Sequence, residues 1–112
     1  MIDFSVFDRS VTQDFRRGLL KLLLMRALES KEMHGYALME RISIATDGQW
    51  KPSPGSIYPA LRGMEREGLI SPRKAGGRVV YKLTDEGRRF SRHLRENVND
   101  YIVSITAIFD KV

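Results

Sequence analysis

The fold of this chain is decided by residues 50–68, WKPSPGSIYPALRGMEREG. Ser53 and Ser56 are both residue types that cap helix N-termini, and proline suits the first helical position, as Pro54 would provide. We expect the helix to start after Ser56, because Pro59 then falls in the first turn, where its missing N–H costs no hydrogen bond. The alternative is a Ser53 cap with Pro54 as the opening residue. In either case the stretch predicts a turn followed by a short helix that stops at the final glycine.

The predicted helix has two chemically different faces. At about 100° per residue, Ile57, Leu61 and Met64 fall on one apolar side. The opposite side is small, polar and basic, which lets a backbone approach a DNA groove and lets Arg62 offer two donors to a guanine edge. The same residue types also occur on ordinary solvated helix faces. We expect this side to contact duplex DNA through Ser53, Ser56, Tyr58, Pro59, Arg62 and Arg66.

Two more helices are predicted before this stretch. Apolar residues recur at helical spacing in two stripes over residues 14–30, so the first helix is expected to be buried on two sides. Residues 35–45 show the same spacing and end in Thr-Asp-Gly, a helix stop. Residues 1–13 are expected to form an N-terminal arm whose phenylalanines, Phe4 and Phe7, can dock on the first helix.

A basic β-hairpin is predicted after the short helix. Residues 69–74 and 78–83 have strand composition and flank a turn, Ala-Gly-Gly, at residues 75–77. Alternate residues from Val79 to Leu83 are expected to face the core. Cations near the turn can reach the DNA backbone or minor groove, as a wing does, and a lysine before the third helix lies where a helix N-terminus attracts phosphate. These expected contacts are Lys51, Arg73, Lys74 and Arg78.

The C-terminal segment, residues 85–112, predicts one long helix. Thr84 is a suitable cap, acidic residues follow it, and about 25 residues at about 1.5 Å each give a length of about 38 Å. Its apolar residues alternate at heptad spacing, which is typical of a helix packed along another helix. We expect a homodimer through this helix and the first one, the alternative being that the helix folds back on its own domain. The expected interface comprises Phe15, Leu19, Leu23, Leu94, Val98, Tyr101, Ile102, Ile105, Ile108 and Phe109.

Three helices, a hairpin and a further helix, in this order, are the plan of a winged helix-turn-helix. The expected fold class is therefore mainly α with a small β-hairpin (α+β). Residues 14–84 would form the DNA-binding domain and residues 85–112 the dimerisation helix.

Composition restricts the function classes. The chain has 112 residues and a net charge of +5, which favours polyanionic partners. It has no cysteine, which excludes disulfides and thiolate metal sites, and its most apolar run, residues 19–25, is too short to span a bilayer. With no export signal apparent, we expect a cytoplasmic protein.

No enzyme, cofactor or metal site is expected. The two histidines, His34 and His93, are isolated from spaced carboxylates and from any nucleophile at a motif. We expect His34 to cap or pack at the start of the second helix and His93 to lie on the charged side of the last helix.

Four segments resemble the PadR family of bacterial and archaeal transcriptional regulators. They are MHGY (33–36), WKPSPGSIYPAL (50–61), EGLI (67–70) and YKLT (81–84), and the resemblance covers about residues 17–89. It implies a dimeric winged-helix repressor, often responsive to small phenolic or hydrophobic compounds, with DNA contacts on the helix that begins near Ser53. The single long C-terminal helix makes the chain similar to the short subfamily.

Effector binding is the part of the resemblance that the residues support least. Some short members bind flat aromatic drugs between tryptophans at the dimer centre, but the C-terminal helix here has none. The one tryptophan, Trp50, is expected to pack against its own domain.

Three functional hypotheses follow from these residues. The first is a sequence-specific repressor that binds a pseudo-palindromic operator as a homodimer, with its two recognition helices about 34 to 36 Å apart. The second is a protein-interaction adaptor, which would show no salt-sensitive duplex binding. The third, compatible with the first, is a small-molecule sensor in which a pocket between the C-terminal helices and the first helix controls the separation of the recognition helices.

Overall fold

A computed structural model describes the backbone of residues 9–112 and the side chains of residues 15–112. Phe4 and Phe7 of the expected arm therefore lie outside the described residues. The architecture confirms the expected fold class, with four helices and a small antiparallel sheet along the described part of the chain. The elements are α1 (Arg9–Leu28), β1 (Met33–His34), α2 (Gly35–Ala45), α3 (Pro54–Arg66), β2 (Ile70–Ala75), β3 (Arg78–Leu83) and α4 (Asp85–Lys111).

Helix α1 begins at Arg9 rather than near the expected Asp14. Residues 9–13 contain neither glycine nor proline, so nothing in their backbone chemistry stops the helix from extending. These residues show no apolar periodicity, so the sequence pattern did not indicate that they are helical.

The start of α3 also differs from the expectation, and here the alternative is correct. The helix opens at Pro54 with Ser53 as its N-cap residue, not after Ser56. The backbone N–H groups of Ser56 and Ile57 both donate to the Ser53 carbonyl, at 3.0 and 2.9 Å. Pro59 thus lies inside the helix. It supplies no donor to the preceding turn, a loss that water can compensate because the residue is exposed.

The sheet has three strands in the order β1-β3-β2, all antiparallel. Strand β1 was not predicted; it is two residues long and pairs His34 with Val80. Ala75 pairs with Arg78, so the hairpin turn contains only Gly76 and Gly77, at φ values of 59° and 79°. Two consecutive positive φ angles define the tight turn that suits the twist of a hairpin, which explains the glycine pair.

The hydrophobic core lies between α1, α2, α3 and the sheet. Leu24, Leu38 and Leu61 are fully buried, and Trp50 is 7% exposed, which confirms that it packs against its own domain. The expected inner face of β3 is correct for Tyr81 and Leu83 but wrong for Val79, which is 40% exposed. Val79 lies next to the turn, where the hairpin extends past the core.

The beginning of α4 is fixed to the junction between α3 and β2. Thr84 is the N-cap residue; its hydroxyl accepts the Gly87 N–H at 3.0 Å and donates to the Gly68 carbonyl at 2.5 Å. A Cβ atom on Gly87 would lie 2.0 Å from the Leu69 carbonyl oxygen. The helix therefore approaches this backbone as closely as only glycine permits.

One turn later, Glu29 at the end of α1 binds α4. Its carboxylate accepts hydrogen bonds from Ser91 and Arg95, and it also pairs with Arg26 at 2.9 Å. Burial alone would raise the pKa of Glu29, but the hydrogen bonds from Ser91 and Arg95 and the charges of Arg95 and Arg26 together hold this pKa below its usual value. The ionised carboxylate thus joins the two helices.

The second half of α4 leaves the domain. Every residue from 101 to 112 is exposed, and the described chain measures 51 Å along its longest axis against 29 and 22 Å across. The helix does not fold back over the described part of its own domain. None of the helices in residues 9–112 combines the length and the apolar character that crossing a membrane requires.

Candidate nucleic-acid interface

Helix α3 has the two faces that its spacing predicts. Ile57, Leu61 and Met64 are at most 1% exposed and form the side that anchors the helix to the core. The remaining side chains project outward because the apolar positions fix the rotation of the helix. We call this exposed surface the α3 face; it consists of Ser53, Ser56, Tyr58, Pro59, Arg62 and Arg66.

The N-terminal part of the α3 face is made of small hydroxyl-bearing residues. Ser53 makes no side-chain capping bond; its hydroxyl donates instead to the Ser56 hydroxyl at 3.3 Å. Both serines are exposed, so their hydroxyls can also donate to or accept from an external ligand.

Two arginines provide the charge of the α3 face. Arg62 and Arg66 are exposed and make no ion pair with any residue of the described range. Their guanidinium groups are always charged and present planar sets of donors. Neither guanidinium is therefore held by a carboxylate of the described residues.

The side chain of Tyr58 belongs to the α3 face but also packs against α2. Its ring lies against the backbone at the start of α2, where a Cβ on Gly35 would come within 2.6 Å of the Tyr58 Oη atom. The side chain is still 36% exposed. The Tyr58 ring thus occupies space that is open only because residue 35 is glycine.

Tyr81 lies beneath this part of the α3 face. Burial raises the pKa of its hydroxyl, and the nearby Tyr58 and Glu65 raise it further, whereas Arg62 lowers it. The Tyr81 hydroxyl therefore stays protonated at neutral pH.

The hairpin cations, Arg73, Lys74 and Arg78, are all exposed, but their partners differ. Arg73 forms an ion pair with Glu32, and an Arg78 guanidinium nitrogen lies 3.0 Å from Nε2 of His34. Lys74 has no ion pair or hydrogen bond with the described residues. Of these three cations, Lys74 is therefore unpaired within the described residues and the other two have partners.

Lys51 lies in the turn before α3, as expected, but it is also partnered. It forms an ion pair with Glu40 of α2 and lies 5.3 Å above the Tyr36 ring. The hydrogen bond between Lys51 and Glu40 raises the pKa of the lysine and lowers that of the glutamate. To contact a phosphate, the Lys51 ammonium would have to bind it together with Glu40 or break the ion pair with Glu40.

Sequence reasoning missed the partners of these cations. Glu32 lies 41 residues from Arg73 and Glu40 belongs to a different helix from α3, so no local pattern connects them. His34 was expected to cap or pack at the start of α2, and it caps the helix, because its Nδ1 accepts the Ala37 N–H at 3.2 Å. Its second contact, with Arg78, was not expected.

His93 lies in the first third of α4 and is exposed. Its Nε2 atom is 2.8 Å from the Tyr101 hydroxyl. Within the described range, no group of three or more His, Cys, Asp or Glu residues is placed to hold a metal ion.

The residues expected at a dimer interface form two surfaces. On α1, Phe15 is 47% exposed, and Leu19 and Leu23 are half-buried beside an apolar groove of 620 Å³ between α1 and α2. On α4, Leu94 is half-buried and the exposed fractions then rise from 39% at Val98 to values between 42 and 79% beyond it. These more exposed residues are Tyr101, Ile102, Ile105, Ile108 and Phe109.

Comparison with protein families gives one match that covers most of the chain. Residues 23–93 match the transcriptional regulator PadR-like family. A transcriptional regulator of Escherichia coli K12, YqjI, is 36% identical over 85 residues, which are 75% of this chain and 41% of that protein. The transcriptional regulator Rv3488 of Mycobacterium tuberculosis is 31% identical over 80 residues, or 68% of this chain and 72% of that protein. The chain thus spans less than half the length of the E. coli relative.

Solved structures share the same fold. A transcriptional regulator from Clostridium thermocellum superposes with a TM-score of 0.74 at 21% identity, covering 96% of this chain and 99% of its own. Bacillus subtilis PadR, solved in complex with operator DNA, has a TM-score of 0.60 at 26% identity, covering 67% of this chain and 45% of its own.

Proposed function

The chain belongs to the PadR-like family of transcriptional regulators, and we propose that it binds operator DNA as a homodimer through α3 and the hairpin cations. Membership of this family confirms the resemblance that the four sequence segments indicate. It also agrees with the expectation of a regulator rather than an enzyme. A protein of this kind acts where the DNA is, which for a bacterial or archaeal cell is the cytoplasm.

The observation that carries the proposal is the α3 face. It is exposed, small at its N-terminal end and positively charged at its C-terminal end, where Arg62 and Arg66 make no ion pair with the described residues. Small residues allow the helix to enter a major groove, and an arginine fork there can bind the two acceptors of a guanine. The operator complex of B. subtilis PadR supports DNA as the partner.

The other predicted contacts would fix the position of the protein on the duplex. Lys51, Arg73, Lys74 and Arg78 carry no base-reading geometry of their own, but cations beside a recognition helix bind phosphates and set its register. Lys74 and Arg78 would contribute most of this charge, because Lys51 and Arg73 already have carboxylate partners.

We propose that α4 forms the dimer. Between Tyr101 and Phe109, α4 carries large apolar side chains that are 42–79% exposed. Exposure of so many apolar side chains to water is unfavourable for a single chain. A second α4 packed along this stripe, with Phe15, Leu19 and Leu23 of α1 beside it, would cover it. Two α3 helices would then face successive major grooves of a pseudo-palindromic site.

A repressor released by a small hydrophobic or phenolic compound is the finer form of this proposal. The groove between α1 and α2 has a volume of 620 Å³ and includes Leu19, Leu23 and Ile44 in its wall. Because it adjoins the proposed dimer surface, a compound bound there would favour one separation of the two α3 helices over another. Its effect would be a ligand-dependent change in operator affinity.

The decisive experiment is selection from a random duplex library near physiological salt, followed by sequencing of the bound DNA. An inverted repeat with half-sites about one helical turn apart supports a dimeric, sequence-specific regulator. Enrichment without sequence preference, or no enrichment, contradicts the proposal and favours a protein-interaction adaptor.

Arg62→Ala tests the role of the α3 face on the selected operator. The substitution should weaken binding by about 1 to 3 kcal/mol and blur the preference at one base pair, since the fork to that base is lost. Arg62→Lys is the matched control, because it keeps the charge and removes the fork. It should lose the base preference while retaining more affinity than Arg62→Ala, as measured by titration against the operator and its single-base variants. Unchanged base preference in both variants would remove Arg62 from the recognition surface.

A further inference from the structure

A basic cavity lies beside the N-terminal part of α4. It has a volume of 410 Å³ and is bordered by the end of α1, the end of β3 and one side of α4. Three of the residues in its wall are arginines and one is acidic, so the wall carries a net charge of +2. The wall consists of Glu29, Leu83, Arg88, Ser91, Arg92 and Arg95.

The acidic residue in this wall is already balanced by charge from the protein. Glu29 accepts hydrogen bonds from the Ser91 hydroxyl and from Arg95, and it pairs with Arg26 at 2.9 Å. Two guanidinium groups therefore offset its single negative charge. A further anion in the cavity would meet a surplus of positive charge rather than a free carboxylate.

Arg88 and Arg92 have no carboxylate partner. Both side chains are exposed, and neither forms an ion pair or a side-chain hydrogen bond with the described residues. The neighbouring Arg89 differs, because it pairs with Glu86 at 2.6 Å and does not line the cavity. The arginines of α4 that lack a carboxylate partner among the described residues thus both line this cavity.

The spacing of these two arginines suits a ligand with linked phosphate groups. Residues four apart lie on the same side of a helix, with their Cβ atoms about 6 Å apart. Each guanidinium presents a planar set of donors that can bind a phosphate through two hydrogen bonds. Two adjacent guanidinium groups can therefore hold two phosphate groups of one molecule.

The floor of the cavity is already formed in the free protein. Leu83 and Ser91 are each 4% exposed, and the Ser91 hydroxyl is bound to Glu29, so neither has to move when a ligand enters. The volume of 410 Å³ falls within the range of about 300 to 1,000 Å³ that is typical of small-molecule sites. The size of the cavity therefore fits a small molecule.

The cavity is separate from the surface proposed to bind DNA. No residue of the α3 face and none of the hairpin cations lines it. Leu83 ends β3, so at about 3.3 Å per residue it lies about 17 Å from Arg78 beside the hairpin turn. The positive charge of the cavity is therefore not explained by the proposed duplex contacts.

We propose that this cavity binds a small molecule that carries linked phosphate groups, as a diphosphate or triphosphate does. Arg88 and Arg92 each bind one phosphate group, and Arg95 completes the basic wall while Glu29 holds it. The ligand supplies the negative charge that the two exposed arginines lack. Binding at this site needs neither DNA nor the residues proposed to contact it, so it goes beyond the proposed function.

The first test is calorimetric titration of the free protein with sodium pyrophosphate near physiological salt, without added metal. One pyrophosphate should bind per chain, and inorganic phosphate should bind at least about tenfold more weakly, because it engages fewer of the donors. Absence of saturable binding, or equal affinity for inorganic phosphate, overturns the inference.

Two substitutions and a matched control test the residues. Arg88→Gln and Arg92→Gln should each weaken pyrophosphate binding about tenfold or more, since each removes a charged set of donors. Arg89→Gln removes the same charge outside the cavity wall and should change the affinity by about twofold at most, because salt screens its charge. All three side chains are exposed, so the melting temperatures should stay close to that of the wild type. Equal losses in the three variants would show a response to net charge alone and overturn the site.

The position of the ligand is tested independently of these variants, by NMR of the backbone amides. Pyrophosphate should shift the signals of residues 88–95, both in the free protein and in its complex with the selected operator, because the two surfaces are separate. Shifts confined to α3 and the hairpin, or loss of pyrophosphate binding in the complex, would mean that pyrophosphate only mimics the DNA backbone and would overturn the inference. Failure of the protein to bind any duplex overturns the proposed function alone, since the titration of the free protein does not involve DNA.

Discussion

The winged-helix domain and the distal half of α4 use the same apolar residue types at equally regular spacing, yet they differ completely in exposure. Ile57 in α3 is fully buried, whereas Ile105 and Ile108 in α4 are 67% and 62% exposed. The domain supplies its own covering surface, since three helices and a sheet enclose the apolar face of α3. The distal half of α4 has no such surface in the described chain, so its exposed pattern is consistent with the proposed dimer and does not form a core of its own.

The two regions meet where α4 begins. Gly87 allows the helix to approach the Leu69 backbone, and Glu29 holds Ser91 and Arg95 one turn later. The predictions below test this difference by changing the contact between the two regions, the apolar stripe of α4, or the charge of the proposed DNA-binding surface.

The largest effect is expected from Gly87→Ala. The added Cβ would lie 2.0 Å from the Leu69 carbonyl oxygen, which belongs to backbone and cannot move without disturbing the α3–β2 junction. We expect a loss of about 3 kcal/mol or more in the free energy of unfolding, measured by urea denaturation. Gly18→Ala is the control, because a Cβ there meets no atom within 4 Å and should stabilise α1 by up to about 1 kcal/mol. Equal stability of both variants would mean that α4 starts in a different position.

Ile105→Lys should break the proposed dimer while leaving the domain folded. A charge in the middle of the apolar stripe must be buried or must keep the helices apart, so association should weaken by at least about 2 kcal/mol. Ala107→Lys introduces the same charge on the opposite side of α4 and should leave association unchanged. Sedimentation equilibrium measures the mass of each variant. A dimeric Ile105→Lys protein would place the subunit contact elsewhere.

A smaller, pH-dependent effect is expected at Glu29. The folded-state pKa of its carboxyl is lowered, so its contribution to stability is present above the ordinary value of 4.5 and disappears as the pH falls through the lowered pKa. Glu29→Gln should therefore cost about 1 to 2 kcal/mol at pH 7, and its difference from the wild type should shrink towards zero in strongly acidic buffer. Urea denaturation at several pH values measures this. A difference independent of pH would show that charge is not what joins α1 to α4.

The smallest effect is expected for Lys74→Ala, which should change how binding depends on salt more than how tightly the operator is held. Losing one phosphate contact should flatten the slope of log affinity against log salt by about 0.9 for every sequence alike. Lys111→Ala removes the same charge from the end of α4 and should leave the slope unchanged. If Lys74→Ala also leaves it unchanged, the hairpin tip does not contact the backbone.

Most of the fold could be predicted because its signals are local. The bounds of α2, the span of β3 and the buried side of α3 follow from apolar spacing and from glycine stops. The predicted start of α3 was wrong because Pro59 does not have to avoid the helix interior. Pro54 sets the helix start, and Pro59 is accommodated on the exposed side. Strand β1 escaped prediction because two residues carry no periodicity.

The candidate site was only partly predictable. Spacing identifies the outward side chains of α3, and composition identifies the basic hairpin. The partners that occupy Lys51, Arg73 and Arg78 come from elements distant in sequence, so only the three-dimensional arrangement reveals them. The roles of these residues in DNA binding stay predictions.

The contact between Gly35 and Tyr58 also constrains how the sequence can change. Any side chain at position 35 would occupy the space of the tyrosine ring, so a mutation there would alter the α3 face without touching it. Because the clash is with the outer end of a partly exposed side chain, the substitution would displace the Tyr58 ring rather than the backbone. Positions 35 and 58 are therefore expected to change together, and Gly35 would influence the shape of the proposed DNA-binding surface without being part of it.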